Sequence, residues 1–203
     1  MILIKELIKD YERCKDDIKY FAETHIKIPH PVSGVIPLKL NEFQRQAIDD
    51  YNTKNVFAKI TKRQDGKTTI ACVILLHQAL FSEYRASMIL GSNLQNSNYI
   101  LQLIFEMYQC LPEYLQIKIV TRNKSKIEFE TGCSIISAGS NVLRGRGMSL
   151  STIYIDESEF MPTLDRALKP LYPCISGIKY GRIFAFTSLA ESKTAKCFGD
   201  NYV

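Results

Sequence analysis

The run Val56 to Ile60 leads directly into Thr61-Lys62-Arg63-Gln64-Asp65-Gly66-Lys67-Thr68-Thr69, and an apolar stretch then continues to Phe81. Val56 to Ile60 reads as a buried strand and Thr68 to Phe81 as an apolar helix. A loop at such a junction aims the unpaired N–H groups of the helix start, and its dipole, at one point where an anion fits. Lys67 supplies a point charge for outer phosphates, and Thr68 a hydroxyl for a magnesium ion. Gly66-Lys67-Thr68-Thr69 is therefore the phosphate-gripping half of a P-loop, which puts a nucleoside triphosphate on the chain. The loop departs from the usual pattern twice. Thr61 stands where glycine is expected, and Asp65 brings a carboxylate to an anion cradle, which is unfavourable unless it turns away or pairs with Lys62.

A length of 203 residues suits one α/β domain with a substantial core and at most a small appendage. The formal charge of +5 tolerates a polyanionic partner without demanding one. The six cysteines form no C-x-x-C pair, and the three histidines show no ligand spacing. Reduced, mostly buried thiols are expected rather than a zinc site. Ile70 to Phe81, the longest apolar stretch, is about half a membrane span and contains His77 and Gln78, so no membrane partner is expected.

Met1 to Thr24 has helical apolar spacing and reads as a lid or packing helix, and Ile28 to Leu40, with Pro29, Pro31, Gly34 and Pro37, as an extended connector. Asn41 caps a short helix over Glu42 to Tyr51. Beyond the loop and its helix come a strand at Ala86 to Leu90 and a long helix from Asn93 to near Leu111. Three β-like runs follow, Ile117 to Thr121, Lys126 to Glu130 and Ser134 to Ser137, which read as a hairpin-rich insert. A polar loop over Ala138 to Ser149 carries Arg144-Gly145-Arg146-Gly147. Then come a strand at Thr152 to Ile155, a broken helix over Thr163 to Ser176 and a strand at Arg182 to Thr187. Strands alternating with helices imply a parallel sheet with ligands at the carboxyl ends of its strands.

Three further segments bear on the chemistry. Ile153-Tyr154-Ile155 delivers Asp156-Glu157 to a strand end, where Asp156 can hold magnesium and Glu157 can polarise an attacking water as general base. Taken alone, the same residues also describe a strand end followed by an acidic loop. Gln44, in Leu40-Asn41-Glu42-Phe43-Gln44-Arg45, carries an amide that can donate to and accept from an adenine edge at once, which favours ATP over GTP. Thr187-Ser188 places hydroxyls at the end of the last strand, beside the expected γ-phosphate.

Together these segments resemble the ATPase domain of the tailed-phage DNA-packaging terminase large subunit, from about Lys27 to Ser188. The resemblance rests on Ile28-Pro29-His30-Pro31, Pro37-Leu38-Lys39-Leu40, Phe43-Gln44-Arg45, Arg63-Gln64, Gly66-Lys67-Thr68-Thr69 and Ile153-Tyr154-Ile155-Asp156-Glu157, in that order. It implies that Arg63 is a cis arginine at the γ-phosphate, a role a guanidinium fork can fill. It also implies that Thr187-Ser188 is the coupling motif, and that Arg144 or Arg146 reaches a neighbouring subunit's nucleotide. The doubled Arg-Gly step leaves open which of the two does so, and contact with DNA phosphates is the other reading of that loop. The implied partners are double-stranded DNA, a portal protein, a small terminase subunit and further copies of the chain in a ring, with a monomer when isolated. The implied place of action is the host cytoplasm on assembling procapsids, not the mature virion. Family members continue into a nuclease domain, so no DNA cleavage is expected from residues 1–203.

The expected fold is α/β: a P-loop NTPase of the additional-strand, RecA-like class. It has a mainly parallel central sheet flanked by helices, an N-terminal helical lid segment and a β-hairpin insert. Residues 1–40 are assigned to the N-terminal segment, 41–190 to the ATPase core and 191–203 to a tail. The nucleotide set is Gln44, Thr61, Lys62, Arg63, Gln64, Asp65, Gly66, Lys67, Thr68, Thr69, Thr187 and Ser188. Thr68 and Asp156 are expected on Mg2+, and Glu157, Lys67, Arg63, Arg144 and Arg146 in catalysis. Two other readings stand beside the packaging motor: half of a superfamily-two helicase, and a non-hydrolysing nucleotide-binding assembly module.

Overall fold

Residues 2–30, 32–139, 149–157, 175 and 181–188 are described by the computed structural model. In chain order they form α1 (Ile2–Asp16), α2 (Ile18–His25), β1 (Lys27–His30), β2 (Gly34–Pro37), α3 (Glu42–Thr53), β3 (Val56–Ile60) and α4 (Lys67–Phe81). Then come β4 (Ala86–Leu90), α5 (Leu94–Gln109), a 3-10 turn (Glu113–Leu115), β5 (Ile119–Asn123), β6 (Lys126–Phe129), β7 (Ser134–Ala138), β8 (Thr152–Asp156) and β9 (Arg182–Thr187). The Arg144 and Arg146 loop, most of the expected helix at 163–176 and the tail at 191–203 lie outside the described residues.

Seven strands make one sheet in the order β3-β9-β8-β4-β7-β6-β5. From β3 to β7 every neighbouring pair is parallel. β9 lies between the phosphate-loop strand β3 and the Asp-Glu strand β8, as expected of an additional-strand fold. The third β-like run departs from the expectation of an insert. β7 pairs in parallel with β4 and belongs to the core sheet, so only the β5–β6 hairpin extends the sheet antiparallel at its far edge.

Both faces of the sheet are buried, and alternating residues explain how. Phe57, Ile89, Ile135, Tyr154, Phe184 and Phe186 face the main core with α4, while Ala58, Met88, Leu90, Ile153, Ile155, Ile183 and Ala185 form a second cluster. On the main face Phe57 stacks on Phe184 at 5.7 Å between centroids, and Tyr154 lies 5.0 Å from Phe184. From α3, Phe43 and Tyr51 meet this aromatic seam edge-on at Phe186 and Phe184. α4 is apolar all round, and Ile70 through Leu80 are buried without exception, as expected of a helix covered on every side.

The N-terminal segment is two helices rather than the one expected. Asp17 takes a non-helical conformation, and its Oδ1 accepts the N–H groups of Lys19 at 2.9 Å and Tyr20 at 3.0 Å, capping α2. Both helices pack at the end of α4 away from the phosphate loop, where Tyr11 and Phe21 each meet Phe81 edge-on. The expected extended connector closes into a hairpin, with Ile28 opposite Ile36. Gly34, at φ +72°, supplies the left-handed residue of its turn, and His30 Nδ1 accepts the N–H of Ser33 at 3.1 Å.

His77 sits in the N-terminal seam, with Nε2 2.8 Å from the carbonyl of Cys14. Burial lowers its pKa to about 4, which keeps the imidazole neutral and donating to that carbonyl. The unfolded chain takes up the proton first as pH falls through the ordinary range near 6.5, so the folded state loses stability between that value and about 4. Lowering the pH from 7.5 to 4.5 should cost about 2 to 3 kcal/mol at this residue. Urea unfolding at the two pH values should show a clearly smaller loss in His77→Gln than in the parent chain.

Candidate active site

The carboxyl ends of β3, β8 and β9 share one edge of the parallel sheet, the edge at which this architecture binds ligands. β3 runs into the loop at 61–66, and α4 begins at Lys67. Gly66, the N-cap, has φ +76°, and a Cβ there would come within 2.3 Å of Gln44 Nε2. Only glycine meets both demands. Gln64 is also left-handed, at φ 66°.

The two departures from the phosphate-loop pattern are partners. Thr61 donates its hydroxyl to Asp65 Oδ2, and its N–H bonds to the carbonyl of Thr187 at 3.0 Å. Asn41 Nδ2 donates to the Asp65 carbonyl at 3.0 Å. The loop is thus braced across its base, where a glycine-rich loop would rely on tight turns. The described partner of the Asp65 carboxylate is Thr61, an arrangement outside the two alternatives of turning away or pairing with Lys62.

Gln44 is 4% exposed and already engaged. Its Oε1 accepts the Asn41 N–H at 3.1 Å, completing a capping box, and its Nε2 donates to the Gly66 carbonyl at 3.2 Å. It holds the start of α3 against the phosphate loop.

A cavity of about 570 Å³ is lined by Arg63, Gln64, Asp65, Gly66, Lys67, Thr68, Thr69, Glu157 and Ser188. Arg63, Lys67, the helix start, the proposed base and the end of β9 therefore converge on one space. Thr61 and Lys62 lie on the other side of the loop, in a second cavity of about 690 Å³ beside Asn41, Phe43 and Gln46. Ser188 borders both. Thr187 is fully buried and touches the site through its carbonyl bond to Thr61. Arg144 and Arg146 lie outside the described residues.

Thr68, Asp156 and Glu157 also wall a third cleft, of about 370 Å³, with Gln95, Asn96 and Tyr99 of α5. A hydroxyl and a carboxylate on one wall beside a phosphate cradle form the hard-oxygen donor set that suits magnesium. Glu157 has φ 47°, left-handed and costly for a residue with a side chain. That backbone turn lets its residue border the phosphate cavity and the α5 cleft at once.

Sequence reasoning missed Tyr154. It lies two residues before Asp156, and its hydroxyl donates to Asp156 Oδ1. Burial pushes the phenol well above its ordinary pKa, and the charge of Asp156 adds to this, so Tyr154 remains a donor. The legible signal was period two: residues i and i+2 of a strand share a face. Asn41 was read as a cap alone, and its bond to the loop spans 24 positions of sequence.

A family model described as terminase large subunit, T4likevirus-type, N-terminal, matches residues 62–186, more than half of the chain. The chain belongs to the terminase large subunit family. Among solved structures the terminase fold recurs in the HK97 bacteriophage large terminase, with 15% identity and a TM-score of 0.68 over 93% of this chain and 43% of that one. It recurs also in the Thermus phage P74-26 large terminase ATPase domain, with 16% identity and a TM-score of 0.62 over 73% of this chain and 64% of that one. The large terminase of thermophilic bacteriophage D6E in complex with ATP-gamma-S is similar at 11% identity, with a TM-score of 0.56 over 73% of this chain and 38% of that one. At these identities the likeness establishes the fold, and the chain spans less than two thirds of the length of these terminases.

If the Thr61–Asp65 brace shapes the terminase phosphate loop, Thr61→Val and Asp65→Ala should each weaken ATP binding about tenfold. The double variant should be no worse than either single one, because one bond is lost in all three. Fluorescent-nucleotide titration measures this directly. If Asp156 holds magnesium for ATP hydrolysis, Tyr154→Phe should keep the fold and reduce turnover by about 10-fold to 100-fold, read from ATPase rates across a magnesium series.

Proposed function

We propose that this chain is the ATP-hydrolysing motor of a phage terminase, driving double-stranded DNA into a procapsid. The observation that carries the reading is the convergence of Arg63, Lys67, Glu157 and Ser188 on one cavity, with Thr68 and Asp156 beside it. Residues 41–190 would form the ATPase core and residues 1–40 its N-terminal segment.

In this reading the free N–H groups at the start of α4 and the Lys67 ammonium hold the β- and γ-phosphates. The Arg63 guanidinium lies against the γ-phosphate and gains strength as charge builds there. Thr68 and Asp156 would hold Mg2+, which when bound neutralises charge on the phosphate oxygens. Tyr154 fixes the Asp156 carboxylate by its hydrogen bond to Oδ1. Glu157 takes a proton from the attacking water as the water oxygen bonds to the γ-phosphorus and the bond to the ADP oxygen breaks. Ser188, bordering both loop cavities, and Thr187, bonded through its carbonyl to Thr61, would pass the loss of the γ-phosphate to β9. Gln44, buried and bonded to Asn41 and Gly66, would link an adenine bound beside α3 to the loop through its bond to Gly66.

Arg144 or Arg146 of a neighbouring copy would complete the site in a ring mounted on the portal, with the small terminase subunit delivering DNA. Family membership favours this motor over the helicase half.

Glu157→Gln should bind ATP as tightly as the parent and lose at least about 100-fold in turnover. Turnover at the parental rate, measured with DNA and portal-bearing procapsids present, would remove Glu157 from the mechanism. Specific ATPase activity should rise with protein concentration and fall when Arg144 and Arg146 are both replaced by alanine.

A further inference from the structure

Far from the phosphate loop, Asp10, Cys14 and His25 bring a carboxylate oxygen, a thiol sulfur and an imidazole nitrogen within 4.8 Å of one another. Asp10 and Cys14 stand one turn apart on α1, and His25 ends α2. Sequence spacing does not show this grouping, because the helix break at Asp17 folds α2 back along α1. His25 Nε2 lies 2.9 Å from Asp10 Oδ2, and Cys14 Sγ lies 3.8 Å from the same oxygen. Tyr20 donates to Asp10 Oδ1 at 2.6 Å, and Tyr114, from the 3-10 turn, donates to Oδ2.

We propose that Asp10, Cys14 and His25 form a zinc site that staples α1 to α2. Mixed sulfur, nitrogen and oxygen donors suit Zn2+ and exclude the all-oxygen preference of Ca2+ and Mg2+. Tetrahedral zinc at its usual bond lengths spaces its ligand atoms about 3.3 to 3.7 Å apart. Two of the observed separations, 2.9 and 3.8 Å, bracket that range, and all three atoms lie within 4.8 Å of one another, so side-chain rotations that draw the sulfur and nitrogen together are needed to bring them onto one ion.

In the metal-free cluster the Asp10 carboxylate is fully engaged, and the thiol is the weakly bonded member. The fully buried Cys14 thiol has only a long contact to Asp10, a weak hydrogen bond for a sulfur donor. Zinc binding forms a Zn–S bond and releases the thiol proton to solvent; the Nε2–H contact of His25 to Asp10 is given up, the imidazole proton passes to Nδ1 through solvent, and the freed Nε2 lone pair and Asp10 Oδ2 take the ion. Tyr20 remains on Oδ1 as the outer hydrogen bond that orients the ligating carboxylate. Three protein ligands leave a fourth position for a water molecule.

The test uses the whole chain with zinc chloride and, as a spectroscopic probe, cobalt chloride. One equivalent of Zn2+ should raise the melting temperature by about 5 °C or more. One equivalent of Co2+ should give a thiolate-to-metal charge-transfer band and the intense visible bands of a tetrahedral site. Cys14→Ser and His25→Gln should each abolish the zinc-induced shift, and Cys14→Ser the charge-transfer band. Cys110→Ser, which alters a partly exposed thiol elsewhere, should leave both intact. The quantity read is the shift on adding zinc, so a lower starting melting temperature in a variant does not obscure it. The proposal is overturned if one equivalent of zinc moves nothing, or if the shift survives in Cys14→Ser.

Discussion

The burial of α4 is the constraint on which the rest of the molecule depends. A helix with no polar face can exist in water only if every side is covered, and here the sheet, α2, α3 and α5 cover it. Each covering element is thereby positioned. The sheet must present an apolar face to it, which the Phe57, Tyr154, Phe184 and Phe186 seam does. α3 must lie alongside, and that brings Gln44 to Gly66. Once α4 is fixed, its N-terminus can point only at the sheet edge where β3, β8 and β9 end. The anion cradle is therefore a consequence of core packing as much as of loop sequence.

Most of this arrangement was legible from residues. The strand at Ala86–Leu90, the strand at Arg182–Thr187 and the start of α4 follow from apolar runs bounded by polar residues, and the observed elements keep those limits. The insertion of β9 between β3 and β8 came from the family pattern, since periodicity gives strands but not their order. Where the reading failed, long-range pairing had overridden local signals. Ser134 to Ser137 looks like one arm of a hairpin, yet its place beside β4 is set by burial on both faces of the sheet. The N-terminal pattern looks continuous because Asp17 interrupts the helix without interrupting the apolar spacing.

The candidate site shows the same division. Lys67, Thr68, Asp156 and Glu157 could be named because their chemistry is local to a strand end or a helix start. The bonds that hold them in place join distant segments: Asn41 to Asp65, Gln44 to Gly66 and Thr61 to Thr187. Thr61 and Asp65 each looked like a departure from a pattern that prefers small, uncharged residues. Side by side they form a donor and an acceptor that satisfy one another, and neither could be interpreted without the other. A loop that lacks glycines loses conformational freedom, and a cross-brace is one way to hold the shape that remains.

The two ends of α4 now acquire a relation. At one end Gly66 carries the nucleotide loop, and at the other Phe81 and His77 grip the N-terminal helices through Phe21 and the Cys14 carbonyl. A 15-residue helix is about 22 Å long, and one packed on all sides has little room to bend. It behaves as a strut. The loop at one end of α4 and the N-terminal seam at the other are thus joined by a single rigid element.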